Sequence, residues 1–264
     1  GYSWQKGQRI GLSYNASRLR SQFDSAEYPP PTNLPDPSPD FRNRLNTQLT
    51  TLEYQGTLSS QWAGLLRGSY QTDQLESGAN VIYRYDTTRR QFTAQTTWTP
   101  SPQHQLVGAV DYLDESIHSS KYQAPSRDNT GLVAGYTGRF GAQKLQADLR
   151  WDRNSVYDNQ TTGKLGWGMD IAEGWALRAV AGTAFRAPTF NDLYYPNYGV
   201  ATLQPERSRS IEGGVDYKAE ATTVAATAYY NKVSDLIGYQ PDPNQCPPGF
   251  PLGCAGNTAR ALLQ

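Results

Sequence analysis

The chain has 264 residues, with 24 basic and 24 acidic side chains and no net formal charge. The balanced charge gives no reason to expect nucleic-acid binding. The mean hydropathy of −0.68 is too low for helical membrane spans, each of which needs about 18 consecutive apolar residues.

The sequence nevertheless contains 18 Tyr and 6 Trp, whereas disordered chains are poor in aromatic residues. Low hydropathy with abundant aromatic residues is typical of a β-barrel whose strands alternate lipid-facing and lumen-facing side chains. The first residues, GYSWQKGQ, lack the apolar core of a signal peptide. We therefore expect the chain to begin inside a larger protein or after processing.

The first half of the chain alternates apolar and polar residues in segments that are separated by loops. From Gln8 onward, Ile10, Leu12 and Tyr14 share one face of a predicted strand. Residues 24–40 form a proline-dense loop, which cannot lie inside a sheet, and residues 45–55 are predicted to return as a strand. Further strands are expected to start near Trp62, Phe92, Leu106, Leu132, Leu145 and Leu165.

The clearest alternation lies between Leu145 and Asp152. Leu145, Leu149 and Trp151 occupy one face, whereas Arg150 and Asp152 occupy the other. A charged face is costly in a dry core and tolerated in a water-filled lumen. This strand therefore favours a barrel with a wet interior.

Short turns and long loops alternate along about twelve predicted strands. The expected long loops are residues 24–44, 75–86, 113–127, 188–206 and 238–256. Outer-membrane barrels have this asymmetry, with short periplasmic turns and longer extracellular loops. Four aromatic residues beside short turns are predicted to form a girdle at the periplasmic interface: Trp62, Trp98, Phe140 and Trp175.

Three sequence elements follow one another between residues 182 and 239. They are GTAFRAPTFNDLYYP (182–196), LQPERSRSIEGGVDY (203–217) and YYNKVSDLIGY (229–239). Pro188 ends the first predicted strand because proline cannot donate to a sheet. By themselves the elements also fit a pair of hairpins in a soluble β-sandwich. Their order and spacing resemble those of the TonB-dependent outer-membrane receptors, and the lengths of strands and loops are most similar to the cobalamin transporters of that family.

The resemblance implies an all-β fold, an antiparallel transmembrane β-barrel. About twelve strands would belong to a larger, 22-stranded barrel, so residues 1–264 are expected to form a partial barrel domain without plug, TonB-interacting segment or closing strands. The implied function is active uptake of a scarce ligand across the outer membrane of a Gram-negative bacterium. Cobalamin is the expected ligand, an iron–siderophore complex the alternative, and a passive channel or adhesin the rival from another class.

The partners that the resemblance implies are outer-membrane lipid and lipopolysaccharide, the transported ligand, and TonB acting through a plug. Enzyme activity has little support in the sequence. The two histidines, His104 and His118, lack metal-ligand spacing. Although His118 lies near Ser116, Ser119 and Ser120, a solvated loop explains this group better than a catalytic pair. We expect no catalytic residue.

Cys246 and Cys254 lie eight positions apart in a segment rich in Pro and Gly. An oxidising compartment favours a disulfide between them, which would stabilise the loop by roughly 2–3 kcal/mol. Metal binding is the weaker alternative because no third ligand lies nearby in the sequence.

The resemblance also implies calcium as a possible cofactor of the extracellular loops. The stretches that match the family's calcium loops are 24–44 and 75–89, and they offer Asp24, Glu27, Asp36, Asp40, Tyr85 and Asp86. Calcium takes six to eight oxygen ligands. Solvated loop carboxylates are an equally good explanation, since Arg89 and Arg90 lie a few positions after Asp86. Thr87 and Thr130 are predicted to offer hydroxyl groups to the ligand.

Overall fold

The structure is a computed structural model and describes residues 1–5, 7–25, 40–258 and 261–263. Its strands are β1 (Tyr2–Gln5), β2 (Gln8–Gln22), β3 (Arg42–Thr57), β4 (Trp62–Gly78), β5 (Ile82–Ser101), β6 (His104–Ser119), β7 (Arg127–Phe140), β8 (Gln143–Asn154), β9 (Gln160–Ala172), β10 (Trp175–Arg186), β11 (Glu206–Ala219), β12 (Thr222–Ser234), β13 (Leu236–Gln240), β14 (Cys254–Thr258) and β15 (Ala261–Leu263). A short helix, α1 (Phe190–Tyr194), and a 3₁₀ turn (Pro243–Gln245) lie between strands. The described helices are too short to cross a membrane.

One antiparallel sheet contains thirteen of the described strands, in the order β1 to β12 followed by β15. Each neighbouring pair from β2 to β12 is also consecutive in the sequence. These eleven strands have 12 to 20 residues, and a membrane-crossing strand needs about 9–11. The remaining two strands, β13 and β14, form a separate hairpin. The predicted all-β architecture of about twelve antiparallel strands is confirmed.

The sheet has one apolar face and one polar face. Strand register aligns apolar residues across neighbours: Leu106 pairs with Tyr136, and Val110 pairs with Leu132. Large side chains on this apolar face are exposed, including Leu12, Leu52, Leu66, Phe92, Leu132, Leu149, Leu165 and Ile211. In a sheet, alternate residues of a strand point to opposite faces, so the neighbours of these residues line the polar face.

Short connections join the strands at one end of the sheet and bring aromatic residues together there. Trp62 and Trp98 stack with ring centroids 5.7 Å apart, and Trp175 packs on Tyr217 at 4.6 Å. Phe140 also lies beside a short turn at this end and is 53% exposed. The four residues predicted to form a girdle therefore border the apolar face at its short-turn end.

The prediction of a long loop at residues 75–86 is wrong. β4 continues to Gly78 and β5 begins at Ile82, so only residues 79–81 connect them. Gly78 has a φ of 141°, which residues other than glycine rarely adopt. The stretch looked like a loop because the polar run from Glu76 to Asn80, with Gly78 inside it, interrupts the apolar alternation that signals a strand. The loop expected at 113–127 is likewise shortened, because β6 extends to Ser119.

Candidate ligand-facing site at the long-loop end

Four charged side chains form a continuous chain across the polar face near the long-loop end, which we call the mouth. Arg89 on β5 donates through Nε to Glu115 Oε1 at 2.7 Å and through Nη1 to Asp73 Oδ2 at 3.3 Å. Glu115 on β6 also accepts from Arg127 Nε on β7 at 2.8 Å. The side chains of Arg127 and Glu115 are only 12% and 11% exposed. Buried charges are costly unless they are paired and hydrogen-bonded. These four side chains therefore hold one another in fixed positions in the wall.

A second network lies beside the first on the polar face. Arg150 on β8 contacts Asp111 at 2.6 Å and Asp152 at 2.8 Å. Asp152 is 1% exposed and also accepts from Asn129 Nδ2 at 2.7 Å. Six arginines of the polar face therefore each contact at least one carboxylate: Arg67, Arg89, Arg127, Arg150, Arg178 and Arg186.

Arg127 also fixes the segment that leads into helix α1. Its Nη1 donates to the carbonyl oxygen of Pro188 at 2.7 Å, and its guanidinium carbon lies 4.5 Å from the centroid of the Phe190 ring. The helix begins with a capping box, in which Thr189 and Asp192 each accept from the other's backbone N–H. Arg127 thus joins the wall to the loop above it.

Tyrosine side chains from three segments meet at the mouth. Tyr122, in the loop after β6, lies 6.3 Å from Tyr85 and 6.2 Å from Tyr195 between ring centroids. The Tyr122 hydroxyl donates to Asn191 Oδ1 at 2.6 Å. Tyr85 shares the polar face with Arg89, because the two residues are four positions apart on β5. The result is an aromatic surface beside the charged chain.

The loop 187–205 and the β13–β14 hairpin share a small apolar core. Its buried residues are Leu193, Val200, Leu203, Cys254 and Ala255. The Ala255 N–H donates to the Tyr198 carbonyl at 2.6 Å, and Asn257 Nδ2 donates to the Gln204 carbonyl at 2.9 Å. A disulfide joins Cys246 to Cys254, whose Cα atoms are 5.9 Å apart. The two segments therefore form one packed unit over the mouth.

Glu206, the first residue of β11, connects this unit to the wall. It accepts from Arg186 Nε at 2.8 Å and from the backbone N–H of Ile237 at 2.8 Å. The hydrogen bond from Arg186 is the main reason that the pKa of Glu206 lies below its usual value, and partial burial acts in the opposite direction. Glu206 thus holds a strand end and the hairpin together while it is ionised.

Those predicted calcium ligands that the structure describes do not converge. Asp24 is exposed, and Asp40 is engaged by Arg42 Nε at 2.8 Å and Gln22 Nε2 at 2.9 Å. Tyr85 and Asp86 are adjacent on β5 and so point to opposite faces. Glu27 and Asp36 lie outside the described residues. In the described part of the chain, no three acidic, His or Cys side chains are grouped as a metal site would require.

The two threonines predicted to contact the ligand lie on opposite faces. Thr87 shares the polar face with Arg89. Thr130 pairs with Tyr112 and is followed two positions later by Leu132, so it lies on the apolar face. Only Thr87 is therefore directed toward the charged chain. The row of paired charges formed by Arg89, Glu115 and Arg127 was not predicted from the sequence, because these residues are distant in sequence. Only strand register shows that they are neighbours.

A family model described as TonB dependent receptor-like, beta-barrel matches residues 1–261. The chain belongs to the TonB-dependent receptor family. Among its relatives is the vitamin B12 transporter BtuB of Vibrio vulnificus (strain YJ016), which is 32% identical over 151 residues, 54% of this chain and 24% of that protein. BtuB of Vibrio cholerae (strain M66-2) is 33% identical over 135 residues, 51% of this chain and 22% of that protein.

Solved structures share the fold at lower identity. The siderophore receptor PirA from Pseudomonas aeruginosa has a TM-score of 0.79 at 13% identity, covering 99% of this chain and 50% of that chain. A ferric enterobactin receptor mutant from the same species, solved with enterobactin, has a TM-score of 0.79 at 14% identity, covering 99% of this chain and 47% of that chain. The chain therefore spans about half the length of these solved receptor chains, and its matches span about a quarter of the length of the BtuB relatives. The apolar face is thus the outside of a barrel, and the polar face is its lumen.

Proposed function

We propose that the chain is part of the barrel of an outer-membrane transporter that takes up cobalamin with energy supplied through TonB. The observation that carries this proposal is the similarity to vitamin B12 transporters, at 29–33% identity over about half of the chain. The siderophore receptor PirA and the ferric enterobactin receptor, which share its fold, are only 13–15% identical.

The charge of the lumen wall supports the same ligand. A receptor for an anionic iron–siderophore complex gains from arginines whose donors are free to bind the ligand. Here Arg89 and Arg127 both contact Glu115, and Arg150 contacts two aspartates. Releasing these arginines toward an anion would leave buried carboxylates unpaired, which costs several kcal/mol. A wall of this kind suits a large ligand without net charge, such as cyanocobalamin.

The mechanism we propose involves no covalent chemistry. The long-loop end faces the outside of the cell and the short turns face the periplasm, as in other outer-membrane barrels. The outer face contacts membrane lipid and lipopolysaccharide. The loop unit at the mouth captures the ligand, and TonB acts on a plug inside the complete barrel. Because the unit is already packed, little ordering cost falls on ligand binding.

Calcium binding by the loops 24–44 and 75–89 stays a prediction. In the described part of the chain, acidic, His and Cys side chains do not form a group that could hold a metal ion, and removal of calcium from the intact receptor is the test. If calcium orders these loops, a chelator should weaken ligand binding. If it does not, affinity should be the same with and without the chelator.

The second candidate is a ferric siderophore, favoured by the tyrosine-rich mouth around Tyr85, Tyr122 and Tyr195. Titration calorimetry of the intact receptor with cyanocobalamin and with ferric enterobactin separates the two. We expect binding of cyanocobalamin only. Binding of the siderophore without binding of cyanocobalamin, with or without calcium, would assign the transporter to the second candidate.

A further inference from the structure

A cleft opens in the barrel wall where β9 and β10 stop pairing. Their registered pairing ends at Gly182 with Lys164, although β9 starts at Gln160 and β10 continues to Arg186. The resulting cleft has a volume of about 510 Å³, within the size range of ligand sites. Its lining includes the hydroxyl groups of Thr161, Thr183 and Ser234 on the outer face, whereas those of Thr162 and Ser208 belong to the lumen face.

Three cations line this cleft: Arg207, Arg209 and Lys232. Arg209 pairs with Lys232 across β11 and β12, and Ile211 pairs with Tyr230 two positions further along the same face. Arg207 lies two positions before Arg209 on that face. All three cations therefore belong to the outer face. Arg207 donates through Nε to Gln160 Oε1 at 3.1 Å. No carboxylate of the described residues lies within ion-pair distance of Arg207, Arg209 or Lys232.

Three other arginines on the outer face near the mouth contact a carboxylate, whereas Arg18, Arg20 and Arg153 on that face have none within ion-pair distance among the described residues. Arg44 and Arg84 both contact Glu76, and Arg90 contacts Asp114 at 3.6 Å. The charge of these arginines is compensated within the protein, whereas that of the cleft is not. Three uncompensated cations beside hydroxyl groups form a site for an anion, and arginine is well suited to phosphate.

The position of the cleft relative to the apolar band indicates which kind of molecule carries that anion. On the strands that carry the cations, the next outward-facing residues toward the short turns are Ile211 and Tyr230, which are 59% and 41% exposed. The cations therefore lie just beyond the apolar band, at the level where lipid head groups begin. Phe185 contributes an apolar part of the lining. A ligand here would have apolar chains beside the apolar face and its phosphate in the cleft.

We propose that this cleft binds the phosphate group of a lipid in the outer leaflet of the membrane. The proposal rests on the outer-membrane location given above, but it does not depend on which ligand is transported. Arg207, Arg209 and Lys232 would bind the phosphate oxygens, and the outward-facing hydroxyl groups of Thr161, Thr183 and Ser234 would complete their hydrogen bonding. The site would anchor the wall where its strand pairing is interrupted.

The test is binding of bisphosphorylated lipid A, in detergent micelles, to the intact receptor, measured by native mass spectrometry. The triple variant Arg207→Gln, Arg209→Gln, Lys232→Gln should bind this lipid at least about tenfold more weakly, since each cation near a membrane surface contributes to lipid attraction. The matched control is Arg44→Gln, Arg84→Gln, Arg90→Gln, which removes the same charge from the same face. The control should change the affinity by less than about twofold.

Two further probes identify the source of the phosphate. Lipid A without phosphates should bind equally to the wild type and the cleft variant, and millimolar inorganic phosphate should not displace the phosphorylated lipid. Equal losses in the two triple variants would overturn the proposal in favour of diffuse attraction. Displacement by inorganic phosphate would assign the cleft to a soluble anion and also overturn it.

If the triple variant fails to fold, Arg209→Gln alone serves the same purpose, because Arg209 is exposed. The loss should then be smaller, and Arg209→Lys should restore binding. A single variant with unchanged affinity would contradict the site. None of these measurements contains cobalamin, so a failure of cobalamin binding would not affect their outcome.

Discussion

Arg186 and Glu206 pair across β10 and β11, with Arg186 Nε donating to Glu206 Oε2 at 2.8 Å. Arg186 is the arginine of the FRAP element, and Glu206 is the glutamate of the LQPE element. The third element, SDLI, reaches the same carboxylate through the backbone N–H of Ile237. The three elements, which are separate in the sequence, therefore meet at one side chain.

This convergence predicts a pH-dependent contribution of Glu206 to stability. Its pKa in the folded protein is lower than the usual 4.5, so the stabilisation is fully present above pH 4.5 and is lost as the pH falls through the folded pKa. Glu206→Gln should lower the thermal unfolding midpoint at pH 7, by an amount that corresponds to about 1 kcal/mol because Arg186 is half exposed. The difference between wild type and variant should shrink as the pH falls. A difference that is constant with pH would contradict the assignment.

The alternation of apolar and polar residues was sufficient to predict the strands where one face of the sheet is apolar. Leu145, Leu149 and Trp151 signal their strand because lipid requires apolar residues on one face. Above the lipid band both faces of a strand are wet, and this signal is lost. The ends of β4 and β5 near Gly78 and Ile82 were therefore mistaken for a loop.

The candidate site was predicted less well than the fold. Thr87 and Thr130 both looked like hydroxyls at the ends of strands, but only strand register shows which face each occupies. Glu115 and Arg127 were not singled out, because a lone charge on a strand does not indicate its partner on the next one. Their pairing depends on the register between β6 and β7, which is set by the whole sheet.

Arg127 is expected to hold the loop unit against the wall. Arg127→Gln removes the ion pair with Glu115 and the hydrogen bond to the Pro188 carbonyl. Hydrogen bonds to charged groups contribute about 1.5–3 kcal/mol. Hydrogen exchange in residues 188–206 should therefore become faster. Arg90→Gln is the control, since Arg90 also contacts a carboxylate on β6 but is 68% exposed. Equal effects of both variants would show that Arg127 has no special role.

The proposed orientation places the long-loop end outside the cell. Ala201→Cys, in the exposed loop after α1, should react with a membrane-impermeant maleimide on intact cells. Gln103→Cys, in the exposed short turn between β5 and β6, should react only after the outer membrane is permeabilised. Labelling of Gln103→Cys on intact cells would reverse the orientation.

The disulfide is expected to stabilise the hairpin locally. A non-reduced digest should contain a peptide in which Cys246 is linked to Cys254, as the structure has it. Replacing both residues with Ser should destabilise the loop unit by roughly 2–3 kcal/mol. Hydrogen exchange should then increase in residues 236–258 and stay unchanged in β8 and β9, which lie outside this unit. Free thiols in protein purified from the outer membrane would rule the disulfide out.

The two threonines form a matched pair for testing the ligand-facing surface. Thr87 lies on the lumen side of β5, whereas Thr130 lies on the outer face of β7. Valine keeps the shape of threonine and removes the hydroxyl, so each variant tests one potential hydrogen bond. If Thr87 contacts the ligand, Thr87→Val should weaken cyanocobalamin binding to the intact receptor by about fivefold, which corresponds to about 1 kcal/mol. Thr130→Val should leave the affinity unchanged because its side chain faces away from the lumen. Titration calorimetry measures the affinity of both variants. An equal loss in the two variants would mean that the substitutions disturb the barrel wall and that Thr87 does not contact the ligand.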